Sequence, residues 1–420
     1  MSARPEPVEG GWRHTFATAM MRSAPMPLAQ LDHGRGAEVW DVDGKRYLDF
    51  LAGIAVNALG HAHPVFVEAV SRQAARLAHV SNYFASVPQL ALAERLKRLT
   101  GAGAAGRVYF CNSGAEAMEA AFKLARRNRQ HGGIVALRQA FHGRTMGALA
   151  LTGKPALQEP FAPMVPGVAH IDSTIAALEA AITDDTAALV LEPIKGEAGV
   201  LELPEGFLVR ARELTAAHGA LLIVDEIQTG VGRTGSWFEY QRHGVVPDAV
   251  AVAKGIGGGF PLGALVTFGA ASELLLPGQH GSTYAGNPLA TAVGDAVLAE
   301  IERADLVGNA ARRGAQLREA IAGIGSPLVT ELRGRGLLVG VGLGAPVAQR
   351  LAESALEAGL IVNAANEATI RLAPPLIIGD AEIAEFAELF ARALAAVEGP
   401  AAESTAVEGP AATATEKEAS

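Results

Sequence analysis

The stretch Ala249-Val250-Ala251-Val252-Ala253-Lys254 runs directly into Gly255-Ile256-Gly257-Gly258-Gly259. Consecutive apolar residues bounded by glycines predict a short buried strand that ends in a tight turn. A lysine at this junction is enclosed by apolar side chains and backbone, so lost hydration is expected to lower its pKa. A neutral amine is a nucleophile that forms Schiff bases with carbonyl compounds. The alternative is a strand-end lysine that reaches solvent, so the neighbouring motifs decide between the two.

Similar apolar runs alternate with amphipathic helical patterns through the middle of the chain. Strands that are apolar along their whole length predict an α/β fold with a mainly parallel sheet, buried on both faces. The predicted strands are Arg107–Asn112, Ile134–Leu137, Ala187–Leu191, Leu221–Asp225, Ala249–Ala253 and Leu265–Phe268. The predicted helices between them include Glu116–Asn128, Ile175–Ala181 and Leu208–His218.

The pattern changes after about Asn287 to long helices and shorter strands, which indicates a second, smaller α+β domain. Residues 1–57 are expected to form a flexible lead and the N-terminal part of this small domain. Residues 58–286 are expected to form the large domain, and residues 287–396 the rest of the small one. Residues 397–420 contain the repeated segment Val-Glu-Gly-Pro-Ala-Ala and are predicted to be a disordered tail.

Composition narrows the class of protein. The chain has 420 residues, a formal net charge of −9 and no basic stripe, which argues against nucleic acid or an anionic membrane as partner. Its single cysteine, Cys111, excludes an internal disulfide framework and suits a reducing compartment. No apolar run reaches the roughly 18 residues of a membrane span, and the N-terminus lacks a signal-peptide core. A cytoplasmic enzyme that acts on small molecules is expected.

Two further strand ends carry candidate chemistry. Asp225 ends the strand Leu221-Leu222-Ile223-Val224, at the edge where open α/β sheets bind ligands. A buried aspartate needs a cationic partner, and a pyridinium nitrogen would serve; capping of the next segment is the alternative. Asn112-Ser113-Gly114-Ala115-Glu116 leads from a strand into a helix, whose first N–H groups could hold a phosphate. Ordinary N-capping by Ser113 is the alternative there.

Two other readings of the motifs are weaker. Gly230–Gly235 matches the GxGxxG string of dinucleotide-binding proteins, but five residues separate it from the preceding strand and no clear helix follows. His61, His63 and His142 are assigned to packing or loops because no metal-ligand spacing accompanies them. No metal site is predicted.

Taken together, these motifs resemble one family, the class III, fold type I aminotransferases that depend on pyridoxal 5'-phosphate. The resemblance runs from about residue 20 to 396, and it implies a mainly parallel sheet of the seven-stranded type in the large domain. The blocks that carry it are Gly53–His61, Asn112–Glu116, Phe141–Thr145, Glu192–Ile194, Asp225–Gly230, Lys254 and His280–Thr283.

The resemblance implies roles for individual residues around the cofactor. Lys254 would bind it covalently, Asp225 would pair with its ring nitrogen, and Gln228 would bond its ring hydroxyl. Phe141 would stack on the ring. Ser113, Gly114 and Ala115 would hold its phosphate, and Thr283 would reach the phosphate bound by a neighbouring subunit. An obligate homodimer with shared active sites is therefore implied.

The resemblance also implies how substrates bind. Arg144 would bind the α-carboxylate of the amino donor, and Arg371 that of glutamate or 2-oxoglutarate. Glu197 would cover Arg371 when the first substrate reacts at its distal amine, and Ser282 is a further candidate for substrate binding. Asn82, Tyr83 and Phe84 would line a pocket for an acyl group.

The implied reaction transfers the distal amino group of N-acetylornithine to 2-oxoglutarate, as in arginine biosynthesis. Succinylornithine, an N-succinyl-diaminopimelate precursor, ornithine and 4-aminobutyrate stay open as donors. An aminomutase or racemase would keep Lys254 and Asp225 but would not need Arg371 for a second substrate. A nicotinamide-dependent oxidoreductase acting through Gly230–Gly235 is the remaining alternative, and a binding protein without activity would be expected to lack Lys254 or Asp225.

Overall fold

The computed structural model describes residues 11–23 and 25–398. The predicted lead falls largely outside these ranges, as does the predicted tail from residue 399 onward. Residues 397 and 398, which were assigned to the tail, instead complete the last helix. The strands are β1 (Leu31–Arg35), β2 (Glu38–Asp41), β3 (Arg46–Asp49), β4 (Arg107–Cys111), β5 (Gly133–Leu137), β6 (Val168–Ile171), β7 (Thr186–Leu191), β8 (Ile194–Lys195), β9 (Leu201–Glu202), β10 (Leu221–Asp225), β11 (Ala249–Val252), β12 (Gly263–Thr267), β13 (Val329–Arg335), β14 (Leu338–Leu343), β15 (Leu360–Ile361), β16 (Asn363–Asn366) and β17 (Thr369–Leu372).

Helices cover the sheets and connect their strands. Several begin at a side chain that accepts a hydrogen bond from the first turn, such as Ser113, Thr174 and Asn287. The helices are α1 (Gly11–Ala19), α2 (Ala52–Ala55), α3 (Pro64–Ala74), α4 (Val87–Thr100), α5 (Gly114–Asn128), α6 (Met146–Leu151), α7 (Pro155–Gln158), α8 (Ile175–Ala181), α9 (Phe207–Ala217), α10 (Glu239–Arg242), α11 (Pro288–Arg303), α12 (Leu306–Ile324), α13 (Ala348–Glu357) and α14 (Asp380–Glu398).

A seven-stranded sheet in the order β4-β12-β11-β10-β7-β5-β6 forms the centre of the molecule. All its strands run parallel except β12, which is antiparallel to both of its neighbours. Every residue of β7, β10, β11 and β12 is buried, as expected for a sheet covered on both faces. The prediction of an α/β fold with a mainly parallel sheet is confirmed.

The edge strand β6 was not predicted from the sequence. Its residues Val168, His170 and Ile171 are only half-buried and Ala169 is exposed, so the strand lacks the continuous apolar run that marks the central ones. It pairs on one side only, with β5. An edge strand needs fewer apolar residues because less of it is covered.

Smaller sheets lie beside the large one. The sheet β1-β2-β3-β15 joins an N-terminal hairpin to a strand near the C-terminus, and the antiparallel sheet β13-β14-β17-β16 comes from residues 329–372. A short hairpin of β8 and β9 follows directly after β7. The domain boundaries at residues 57/58 and 286/287 stay a prediction.

None of the helices in the described part of the chain has both the length and the apolar character that crossing a bilayer requires.

Candidate active site

The carboxyl ends of the parallel strands meet at one edge of the large sheet. Cys111 ends β4, Leu137 ends β5, Leu191 ends β7, Asp225 ends β10 and Val252 ends β11. The residues that follow them line one cavity of about 490 Å³. Topology therefore brings together side chains that are far apart in the sequence, at the edge where such sheets bind ligands. Eight of the predicted site residues line this cavity: Ser113, Gly114, Ala115, Phe141, Arg144, Asp225, Gln228 and Lys254.

Lys254 stands two residues beyond the end of β11 and lines the cavity. Its φ of +47° lies in the left-handed region, which a lysine seldom adopts. Burial lowers the pKa of Lys254, and the nearby Arg371 adds to the effect, although Glu197, Asp225 and Glu192 oppose it. The lowered pKa agrees with the sequence-based expectation and favours the neutral amine, the form that attacks a carbonyl carbon.

Asp225 is buried against His142. Oδ2 of Asp225 lies 2.7 Å from Nδ1 of His142, and Oδ1 accepts a hydrogen bond of 3.0 Å from the backbone N–H of Ile227. Burial opposes protonation of the imidazole, but the hydrogen bond and charge of Asp225, together with Glu192, outweigh it and raise the pKa of His142. Asp225 therefore has an imidazole partner in addition to the capping bond.

Glu192 is a second buried acid on the cavity wall. Its Oε2 accepts a hydrogen bond of 2.8 Å from the backbone N–H of Phe141, which fixes the loop after β5. Burial raises the pKa of Glu192 to about 7, with His142 lowering it and Asp225 raising it. The carboxyl group is thus poised to change charge near neutral pH.

The turn from β4 into α5 offers backbone donors. Ser113 caps α5, and its Oγ accepts a hydrogen bond of 3.2 Å from the N–H of Glu116. The N–H groups of Gly114 and Ala115, which open the helix, have no acceptor inside it and lie at the positive end of its dipole. Such a helix start binds a phosphate. The Ser113 hydroxyl can cap the helix and still donate its own hydrogen, so the two predicted roles are compatible.

Gly114 packs closely against a neighbouring loop, in addition to leaving its backbone N–H accessible. A Cβ on Gly114 would lie 2.9 Å from Cδ1 of Ile227, two residues beyond Asp225. The turn from β4 into α5 therefore packs against the loop that follows Asp225.

Phe141 and Arg144 lie at the mouth of the cavity. The Arg144 guanidinium carbon is 5.7 Å from the centre of the Phe141 ring, within the range of a cation–π contact. Arg144 is exposed, and Phe141 is half-buried. A cation held beside an aromatic ring at the mouth of a cavity is well placed to receive a carboxylate.

Arg371, on β17, reaches the site through Gln228. Its Nη1 donates to Oε1 of Gln228 at 3.2 Å and also pairs with the carboxylate of Glu197. Nη2 donates to Oδ1 of Asn363 at 2.7 Å, whereas the buried Nε has no acceptor among the described residues. Burial raises the pKa of Glu197, but the charge and hydrogen bond of Arg371, together with Lys254 and Lys154, outweigh it and lower the pKa overall. The predicted pair of Glu197 and Arg371 is thus in contact, next to Gln228.

Ser282 and Thr283 do not line the cavity of the single chain. Oγ of Ser282 accepts a hydrogen bond of 3.2 Å from Nδ2 of Asn112, which links residue 282 to the start of α5. Thr283 is exposed. Tyr83 and Phe84, expected to line an acyl pocket, are also exposed and lie outside the cavity.

The residues present fit a pyridine cofactor that carries an aldehyde and a phosphate. An amine with a lowered pKa, a buried carboxylate and a helix start with free N–H groups line one cavity. Phe141 adds an aromatic face.

The sequence predicts a packing or loop role for His142, and its side chain is indeed fully buried, but the contact of its ring with Asp225 was not predicted. Its position beside Phe141, inside the block Phe141–Thr145, is the only signal that the sequence offered. Gly230–Gly235, by contrast, forms turns without a following crossover helix, and Gly336 packs against Thr234. This geometry does not match a dinucleotide-binding turn.

The fold and the site are those expected of an enzyme that binds a carbonyl-bearing pyridine cofactor. A family model for class III aminotransferases matches residues 19–394. The acetylornithine aminotransferase of Streptomyces coelicolor (strain ATCC BAA-471 / A3(2) / M145) is 53% identical over 388 residues, which cover 92% of this chain and 94% of that relative.

Solved structures agree with this match. The N-acetylornithine aminotransferase from Stenotrophomonas maltophilia K279a superimposes with a TM-score of 0.79 at 37% identity, covering 91% of this chain and 98% of that one. An ornithine aminotransferase from Toxoplasma gondii, whose structure reveals partial occupancy of PLP at the active site, gives a TM-score of 0.87 at 32% identity, covering 92% and 93% of the two chains. The chain belongs to the class III aminotransferases, a family of fold type I enzymes that depend on pyridoxal 5'-phosphate.

Proposed function

We propose that this enzyme transfers the distal amino group of N-acetyl-L-ornithine to 2-oxoglutarate, giving N-acetyl-L-glutamate 5-semialdehyde and L-glutamate in arginine biosynthesis. The observation that carries the proposal is the pair of Glu197 and Arg371. Arg371 contacts Gln228, and Gln228 lines the same cavity as Lys254. When Glu197 pairs with Arg371, the site suits a donor that reacts at its distal amine. When Arg371 is free of Glu197, it can bind a carboxylate of a dicarboxylate substrate. The relatives named acetylornithine aminotransferase support the choice of donor.

Bound pyridoxal phosphate supplies an electron sink and a carrier for the amino group. Lys254 would hold the cofactor and, once displaced, move the proton between the reacting carbon and its own Nζ. Its lowered pKa suits this general acid–base role. Asp225, held by His142, would keep the ring nitrogen protonated, while Ser113, Gly114 and Ala115 would hold the phosphate. Phe141 would stack on the ring, and Gln228 would bond its hydroxyl group.

The two arginines would receive the carboxylates of the substrates. Arg144, exposed at the cavity mouth, would bind the α-carboxylate of the donor through a bidentate pair. Arg371 would bind the α-carboxylate of 2-oxoglutarate after Glu197 moves away from it. Ser282 would contribute to substrate binding from the edge of the site.

A homodimer would complete the active site. Tyr83, Phe84 and Val87 are exposed on one segment, and Tyr284 is exposed on another, so both segments offer apolar side chains at the surface. Asn82 ties the two segments, since its Nδ2 donates to the carbonyl of Ser282 at 3.2 Å. Burial of this surface against a second copy would bring the exposed Thr283 toward the partner's cavity. The single reduced cysteine supports a cytoplasmic location.

The visible absorption spectrum of the purified enzyme tests the donor. The cofactor band is expected to bleach on addition of N-acetylornithine and to return on addition of 2-oxoglutarate, and Lys254→Ala should lack both changes. A band that responds to glutamate but not to N-acetylornithine would change the donor and keep the aminotransferase. A cofactor-supplemented enzyme without any band would overturn the whole proposal.

Arg371→Lys tests the use of two substrates. The variant keeps a positive charge but not the bidentate geometry, so the half-reaction with 2-oxoglutarate should slow by about a hundredfold while the half-reaction with N-acetylornithine changes far less. Single-turnover rates with each substrate provide the comparison. Equal losses in both half-reactions would argue against a special role of Arg371 for the second substrate, and unchanged rates would favour an aminomutase or racemase.

A further inference from the structure

Glu197 is carried by a tight turn between β8 and β9, here called the switch turn and defined as Gly196–Gly199. The N–H groups of Gly199 and Val200 both donate to the carbonyl of Gly196, at 3.3 and 3.4 Å, and close the turn. Gly199 has a φ of +100°, which favours glycine. The turn therefore has a defined backbone shape, although it contains no regular strand.

Each of the three other carbonyls of the switch turn accepts a hydrogen bond from a long side chain elsewhere in the fold. Nζ of Lys154 donates to the carbonyl of Glu197 at 2.7 Å, and Nδ2 of Asn366 donates to that of Ala198 at 3.1 Å. Nε of Arg333 donates to the carbonyl of Gly199 at 3.2 Å. Lys154, Asn366 and Arg333 are called the carbonyl tethers below.

Two of the tethers, Asn366 and Arg333, connect the switch turn to the strands that hold Arg371. Asn366 ends β16, which pairs with the strand β17 that carries Arg371. Arg333 also donates to Oγ1 of Thr369, the first residue of β17, at 2.8 Å. The backbone beneath Glu197 and the strand beneath Arg371 are therefore fixed relative to each other.

Close packing leaves the turn little room to move. A Cβ on Gly196 would lie 2.1 Å from Oε1 of Gln228, and a Cβ on Gly199 would lie 2.7 Å from Nδ2 of Asn366. Both glycines are thus pressed against side chains that belong to the site or to the tethers. The Glu197 side chain itself is only half-buried and retains space on its outer side.

We propose that the carbonyl tethers are positioning residues that hold the switch turn stationary, so that Glu197 covers and uncovers Arg371 by rotation of its side chain alone. The inference rests on the proposed function, because it assumes that one site serves a distal-amine donor and a dicarboxylate. A stationary turn keeps the covered state favourable without a loop movement. When the tethers are weakened, the turn shifts, and Glu197 leaves Arg371 more readily.

Two variants weaken individual tethers. Lys154→Met removes the ammonium donor at nearly constant length, and Asn366→Asp replaces the amide donor by an acceptor while retaining the oxygen that accepts from the N–H of Ala368. Loss of a hydrogen bond of this kind should raise the ratio of kcat/KM for glutamate to kcat/KM for N-acetylornithine by about fivefold. Lys154→Arg, which keeps a donor, should restore a ratio close to that of the unmodified enzyme.

Hydrogen exchange provides a readout that needs no substrate. The amides of Gly199 and Val200 should exchange faster in both variants than in the unmodified holoenzyme, because a less restrained turn opens its closing hydrogen bonds to Gly196 more often. Lys45→Met is the matched control: Nζ of Lys45 also donates to backbone carbonyls, those of Leu356 and Glu357, away from the site. That variant should change neither the ratio nor the exchange.

The outcomes separate this inference from the proposed function. Equal losses with both substrates, or unchanged exchange at Gly199 and Val200, would overturn the inference. If the enzyme ignores N-acetylornithine, the donor proposal fails; the ratio is then measured with 4-aminobutyrate or ornithine, and the exchange experiment stands unchanged. If Lys154→Met does not fold, the test is made with Asn366→Asp, because Asn366 is exposed and its replacement should not prevent folding.

Discussion

Nδ1 of His142 lies 2.7 Å from Oδ2 of Asp225, and both side chains are almost entirely buried. The imidazole donates to a carboxylate that would otherwise face the cavity with only the Ile227 N–H as a partner. His142 is therefore placed to orient Asp225, and its loss is expected to affect cofactor binding through that carboxylate.

His142→Phe is expected to weaken cofactor binding by about tenfold or more, because a buried charged group loses its partner. His142→Asn, whose amide can replace the Nδ1 donor, should lose much less. Equilibrium dialysis of pyridoxal phosphate against the cofactor-free variants measures both dissociation constants. Equal affinities in the Phe and Asn variants would show that the hydrogen bond to Asp225 is unimportant.

Gly114 and Ile227 should show coupled effects on cofactor binding. Gly114→Ala places a methyl group 2.9 Å from Cδ1 of Ile227, so either that side chain or the start of α5 must shift, and a shift of α5 would disturb the alignment of its N–H groups. The affinity for pyridoxal phosphate should fall, and adding Ile227→Ala should recover part of the loss. Fluorescence titration of the two single variants and the double variant gives the coupling. Additive losses would contradict the steric explanation.

The positions of Lys254 and Asp225 were predictable from the sequence because each follows an apolar strand, and parallel strands end at the same edge of a sheet. The contacts that these two side chains make could not be predicted. His142 is 83 residues away from Asp225 along the chain, and no periodicity connects them. The edge strand β6 was missed because it is only partly covered.

Other features of the site depend on distant parts of the chain or on a second chain. Arg371 could be predicted as a candidate from family resemblance, but its contact with Gln228 requires β17 to pack beside the loop after β10. The role expected of Thr283 needs a partner subunit, which a single sequence does not supply. Local patterns thus predict strands and helix starts, whereas contacts between elements require the tertiary fold.

Cys111 is expected to resist thiol reagents in the folded enzyme. It is 1% exposed, and burial raises its pKa to about 12, with a backbone hydrogen bond of Ser113 opposing the shift and the charge of Glu116 adding to it. The reactive thiolate is therefore scarce at pH 8. Titration with a chromogenic disulfide should detect no rapid thiol in the native enzyme and one thiol per chain in denaturant. A fast reaction in the native state would contradict the buried position.

Glu226 should make the enzyme less stable as the pH rises. Its side chain is fully buried; burial raises its pKa to about 8, Glu239 adds to the shift, and hydrogen bonds from Thr229 and the Tyr240 N–H oppose it. Because the folded state keeps this proton and the unfolded state releases it above about pH 4.5, stability falls as the pH rises from that value through about 8.

Glu226→Gln removes this titration and keeps an acceptor for the Tyr240 N–H, and its amide can donate to the Thr229 hydroxyl, which donates to the carboxyl group in the unmodified enzyme. Relative to the unmodified enzyme, the variant should gain about 2 kcal/mol in free energy of unfolding between pH 6 and pH 8. Urea unfolding at both pH values, with the cofactor at a fixed concentration, measures the difference. Glu205→Gln, which removes an exposed acid, should show no such gain. A gain of the same size in both variants would assign the effect to net charge instead of to the buried proton of Glu226.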